Sequence, residues 1–179
     1  GIRNVSEPEV ALAEIARVLH PASPQRGNRA PGLSAEGWYH THHMNYPYGV
    51  HLAVVKVDAE TGGVAVERLA VAYDIGRAVN PMLVEGQIHG GVAQGVGGAL
   101  YERMVYDEGG QLLNASFMDF LIPYASEVPH IETDHLETPS PLNPLGLKGA
   151  GEAGTIPVTA VIASAIEDAE GFPIRSMPI

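Results

Sequence analysis

A chain of 179 residues, 45% hydrophobic and 17% charged, can bury a core of ordinary size, which excludes wholesale disorder. Its 10 Lys+Arg stand against 21 Asp+Glu for a formal net charge of -11. A surface of that sign repels phosphate backbones and anionic lipid, so no nucleic-acid or membrane-surface role is expected. The chain has no cysteine, which removes disulfides, Cys-ligated zinc, thiolate nucleophiles and iron–sulfur clusters held by this polypeptide. No apolar run approaches the ~20 residues of a membrane span, and no signal peptide opens the sequence. The first residue is Gly1, so a processed chain or a fragment is expected.

Ser6-Glu-Pro-Glu9, followed by Val10, Leu12, Ile15, Val18 and Leu19, reads as a helix opened by a capping box. His20-Pro21 ends it, because a residue before proline is pushed out of the helical region. The Pro/Gly/Ser-rich stretch from Ala22 to Ala35 reads as a linker, which divides the chain into residues 1–35 and a domain over 36–179. His51–Val57 and Val64–Tyr73 flank a turn and predict two paired strands. Both faces of the first strand are mostly apolar, so it is expected to be covered on two sides.

Asn80-Pro81 then opens a helix reaching Arg103, since Asn favours the N-cap and Pro the first helical position. Six glycines lie within it and weaken it by roughly 5 kcal/mol relative to alanines. Close packing of another backbone or close approach of a ligand must offset that. Gly86, Gly90, Gln94 and Gly98 recur every four residues and mark one such stripe. Met104–Asn114 reads as strand–turn–strand and Ile131–Glu137 as a further strand. A Pro/Gly loop over Thr138–Gly154 follows, and an apolar helix over Thr155–Glu170 closes the domain.

The loop concentrates the chemistry. Lys148-Gly-Ala-Gly-Glu-Ala-Gly154 sets one carboxylate, Glu152, in a backbone of Gly and Ala that leaves room for a ligand. A flexible surface turn with a solvated Glu and Lys is an equally open reading. Gln87 and Gln94 supply neutral amides of the kind that recognise a polar or anionic ligand, although helix packing through glycines accounts for the same composition. His40, His42 and His43 suggest a zinc site, but no acidic partner lies nearby and a partly exposed strand explains the alternation better. Asp74 and His89 fit structural roles, as a turn residue and a helix residue.

Val71–Glu102 (VAYDIGRAVNPMLVEGQIHGGVAQGVGGALYE) and Thr138–Thr155 (TPSPLNPLGLKGAGEAGT) together resemble the C-terminal part of the molybdopterin-binding large subunit of molybdenum hydroxylases. This is the superfamily of xanthine dehydrogenase, aldehyde oxidoreductase and aerobic carbon monoxide dehydrogenase. The resemblance runs from about Tyr46 to the closing helix. It implies an α+β fold, a mixed sheet with packing helices that forms the C-terminal molybdenum-cofactor-binding domain.

By the same resemblance Glu152 matches the active-site glutamate beside the molybdenum, and Gln94 a glutamine that contacts the cofactor. Gly91, Gly95, Lys148, Gly149, Gly151 and Thr155 match backbone and loop positions around that cofactor. The pterin itself holds the metal, so no metal ligand from this chain is required. A carboxylate beside the reacting oxygen serves as general base. The implied activity is that of a molybdenum hydroxylase, which oxidises an aldehyde, an N-heterocycle or CO with water as oxygen source. The alternative is a non-catalytic molybdopterin-binding or assembly module. The implied cofactor is molybdopterin with molybdenum, in its cytosine dinucleotide form. Implied partners are the remainder of the large subunit, subunits carrying iron–sulfur clusters and FAD, and a small-molecule substrate. A cytoplasmic location is expected.

Overall fold

The computed structural model describes residues 43–179. The helix expected over residues 6–19, the linker, the boundary at residue 35, and His40 and His42 lie outside them. Strands β1 (Tyr48–Val57) and β2 (Val64–Asp74) pair antiparallel. In the turn between them, Asp58 accepts hydrogen bonds from the amides of Glu60 and Thr61 at 2.9 and 3.1 Å.

In β2 the inward side switches from even to odd positions. Val64 and Val66 face the core, and beyond them Leu69, Val71 and Tyr73 do. The register runs Val54↔Arg68, then Val55↔Val66, leaving Glu67 unpaired. A bulge at that point keeps both halves' apolar side chains on one side of the sheet.

Helix α1 (Pro81–Leu100) begins where Asn80 Oδ1 accepts the Leu83 amide at 3.2 Å. Ile88, Val92, Val96 and Ala99 are fully buried along one stripe. Burying the three larger side chains contributes about 5–9 kcal/mol at roughly 1.5–3 kcal/mol each, enough to offset the glycines. Strand β3 (Ile131–Leu136) then pairs parallel with β2, giving a mixed sheet of order β1-β2-β3. Helix α2 (Val158–Glu170) packs on β1 and α1 through Val158, Ile162 and Ile166. It starts after Thr155, because the amides of Thr155 and Ile156 close a turn onto the Glu152 carbonyl. Gly171, at φ 74°, ends it. The domain is α+β, with both helices contributing to one core.

Two expectations are corrected. Among the described residues, strand β1 is covered on one face only. Ala53, Val55 and Val57 pack inward, whereas Tyr48, Val50, Leu52 and Val54 are exposed, because among the described residues no element lies over the outer side. The second concerns Met104–Asn114, which forms a single bridge, Tyr106↔Leu112, around the Asp107 turn. An exposed two-stranded ribbon with no covering apolar face does not extend further.

Candidate active site

The loop over residues 138–154 is anchored along its length. Gly146, at φ 70°, lets its carbonyl accept the amides of Arg77 and Ser140, each at 3.1 Å. A Cβ on Gly76 would stand 2.1 Å from that carbonyl oxygen, so the approach requires glycine. Asn143 Oδ1 accepts the Leu147 amide, and its Nδ2 donates to the Leu147 carbonyl. The Lys148 amide donates to Ile75 O and the Gly149 amide to Asn45 O, both at 2.8 Å. Lys148 Nζ lies 3.1 Å from Asp74 Oδ1, with 9% and 13% of the two side chains exposed, and 4.8 Å from the Tyr48 ring centre. Burial pushes the Asp74 carboxyl up. Hydrogen bonds from Thr138, the Gly76 amide and Lys148 outweigh it and hold the group well below the usual carboxylate range.

The far end of the loop is tied to α1 and β1. Gln87 Nε2 donates to Gly151 O at 2.9 Å, His51 Nε2 lies 3.2 Å from Ala153 O, and Thr155 Oγ1 donates to Gly91 O at 2.9 Å. Burial lowers the His51 pKa, and the bond to Ala153 works in the opposite direction. With a carbonyl on Nε2 and a buried, unpartnered Nδ1, the neutral ring carries its proton on Nε2. Glu152 sits between the two tethered carbonyls with its side chain exposed.

The glycines of α1 divide into two sets. Gly91 and Gly95 are buried. A Cβ on Gly91 would meet Thr155 Oγ1 at 2.8 Å, and one on Gly95 would meet Val158 Cβ at 2.5 Å. Opposite them, a Cβ on Gly154 would stand 2.4 Å from Ile88 O. Gly91 and Gly154 let helix and loop meet backbone to backbone, and Gly95 admits the Val158 side chain of α2. Gly86 and Gly90 are exposed, and a Cβ on either meets nothing within 4 Å. Of the two options for that stripe, backbone packing is not met at Gly86 and Gly90, which stay open, and the close packing lies one residue further round the helix. Gln94, also exposed, continues the open stripe, and Gly90 and Gln94 share the side of the helix from which Gln87 reaches the loop.

Sequence reasoning had Gln87 as a ligand-facing amide and gave His51 no site role. The structure engages both on the Glu152 loop. One signal was present: His51 occupies an inward position in phase with Ala53, Val55 and Val57, where a polar side chain needs an internal partner. Lys148 and Thr155 also direct their polar atoms to partners within the chain. Among the described residues, no three His, Cys, Asp or Glu side chains gather as a metal site.

The molybdopterin cofactor-binding domain family matches residues 2–129. The chain is 44% identical over 177 residues to the gamma subunit of the 6-hydroxypseudooxynicotine dehydrogenase complex of Paenarthrobacter nicotinovorans. That similarity covers 97% of this chain, the Glu152 loop included, and 22% of the relative. Quinoline 2-oxidoreductase from Pseudomonas putida 86 is similar with a TM-score of 0.71 and 45% identity, over 73% of this chain and 17% of that one. Reconstituted CO dehydrogenase from Oligotropha carboxidovorans is similar with a TM-score of 0.75 and 38% identity, over 87% and 19%. The chain belongs to the large-subunit family of molybdenum hydroxylases, and its fold is that of their cofactor-binding domain. It spans about a fifth of the length of these relatives.

The residues present fit such a cofactor. Bare backbone at Gly86, Gly90 and Gly151, where a Cβ meets nothing within 4 Å, leaves space for a flat ring system. Gln94 offers a neutral amide with both donor and acceptor, suited to a polar pterin, and Glu152 offers a single carboxylate.

Proposed function

We propose that this chain contributes a general base and part of the cofactor cradle to a molybdenum-dependent oxidoreductase of larger size. The reaction class is oxidation of an aldehyde, an N-heterocycle or CO, with water as the oxygen source. The observation that carries this reading is the Gln87–Gly151 hydrogen bond of 2.9 Å. It joins the open helix face bearing Gln94 to the loop bearing Glu152.

The molybdenum cofactor, when bound, supplies the two-electron oxidation. Gln94 would hydrogen-bond it, and the exposed backbone of Gly151 would border it. Gly91, Gly95 and Thr155 act one layer back, by bringing the helix against the loop and α2, while Lys148 and Gly149 fix the loop's first residues. Glu152, through a carboxylate oxygen, takes up the proton released as water oxygen is delivered to the substrate carbon. Glu152 and Gln94 are both exposed here, which supports a site closed off from water by further polypeptide. That polypeptide would be the remainder of a large subunit, working with iron–sulfur and flavin subunits in the cytoplasm, and the cofactor would be the cytosine dinucleotide form.

The test is Glu152→Gln in the assembled enzyme. Turnover is expected to fall roughly 10²–10⁴-fold with molybdenum content near wild type. Turnover near wild type would remove the glutamate from the reaction and favour a module that only binds the cofactor.

A further inference from the structure

We infer that Gln87 and His51 are positioning residues that fix the main-chain direction of Glu152. The inference rests on the reading of Glu152 as the base. Residues 148–154 carry no side chain larger than a methyl group except Lys148 and Glu152 themselves, and Lys148 is held by Asp74. Such a backbone has wide conformational freedom. Its own anchors near the carboxylate are slight: the methyl groups of Ala150 and Ala153 on the core and a long bond of 3.4 Å from the Ala153 amide to the Ala150 carbonyl. The side chain's aim therefore depends on what holds the peptide planes that meet at its Cα.

Both planes are held. The plane entering Glu152 carries the Gly151 carbonyl, which accepts from Gln87 Nε2 at 2.9 Å. The plane leaving it carries the Glu152 carbonyl, which accepts the amides of Thr155 and Ile156 at 3.0 and 3.2 Å. One plane further, the Ala153 carbonyl is gripped by His51 at 3.2 Å. The two side-chain tethers come from different elements, α1 and β1, so the loop is fixed from two directions. His51 Nδ1 is buried without a partner, which leaves the Ala153 contact as the ring's polar interaction. A general base works only within hydrogen-bond reach of its proton, and a displacement of about 1 Å costs on the order of 10²-fold.

The experiment uses the assembled enzyme carrying Gln87→Met, His51→Leu or His51→Gln, beside Glu152→Gln. Gln87→Met and His51→Leu remove the donor at similar size, and His51→Gln restores an N–H at the reach of Nε2. Gln87→Met and His51→Leu should each lower kcat roughly 10- to 100-fold, with KM and molybdenum content within about twofold. Amide exchange over residues 149–156 should quicken about tenfold or more, and His51→Gln should recover most of the loss. Wild-type kcat and exchange in both donor-free variants, with Glu152→Gln inactive, would overturn the inference alone. Loss of molybdenum from both would mark a purely structural role and overturn it too. Should Glu152→Gln turn over normally, the base assignment fails and the positioning role falls with it. Faster exchange in Gln87→Met would still report the grip, so the two failures are distinguishable.

Discussion

Lys148 is one of two lysines in the chain, and its ammonium is engaged by Asp74 in a largely buried pair. Removing Lys148 leaves Asp74 its hydrogen bonds from Thr138 and the Gly76 amide, so the loss is that of one charge-assisted contact, about 1.5–3 kcal/mol. Lys148→Met should therefore lower the unfolding free energy by that order in urea titration at neutral pH. The pH dependence follows from Asp74, whose carboxyl is held below its ordinary value in the folded chain. A depressed folded pKa contributes stability above the unfolded value of about 3.9, and that contribution is lost as pH falls toward the folded value. The stability gap between the wild-type chain and Asp74→Asn should accordingly narrow between pH 5 and pH 2. The resemblance set Lys148 beside a cofactor. Its charge is satisfied within the fold, and from that position it fixes where the glutamate loop begins.

The two glycine sets of α1 make opposite predictions. Gly90→Ala adds a methyl group where nothing stands within 4 Å, so it should raise stability by about 0.8–1 kcal/mol through helix propensity. If the open face cradles the cofactor, the same substitution should lower molybdenum content in the assembled enzyme. Gly95→Ala drives a methyl group into Val158 and should destabilise by about 1–3 kcal/mol through overpacking. Thermal unfolding of both variants with metal analysis separates the two faces. The strands, the two helices and the helix start at Asn80 were legible in the sequence, since apolar spacing and cap residues mark them locally. Which glycines pack and which stay open was not legible, because a repeat of four cannot tell Gly86–Gly90 from Gly91–Gly95. The partner that decides lies some sixty residues further on, at Gly154 and Val158. The bulge at Glu67 left a readable trace in the parity switch of β2, whereas the failure of Met104–Asn114 to extend depended on what did not cover it.

At the scale of the whole chain, the outer side of the sheet presents Tyr48, Val50, Leu52 and Leu136 with more than half of each exposed. Contiguous apolar surface of that kind associates, despite the net charge of -11. The chain produced by itself should sediment as oligomers, and Val50→Lys with Leu52→Lys should shift it to monomer with little change in thermal midpoint. Glu152 and Gln94 were legible through the resemblance, but their tethers were not. Gln87 and Gly151 are distant in sequence, as are His51 and Ala153, and only folding reveals that each pair meets. The meeting of Gly91 with Thr155 and of Gly154 with Ile88 carries a consequence for protein engineering. Helix and glutamate segment form a single cassette, and a graft between relatives that exchanges one while leaving the other would need glycine at both seams to close.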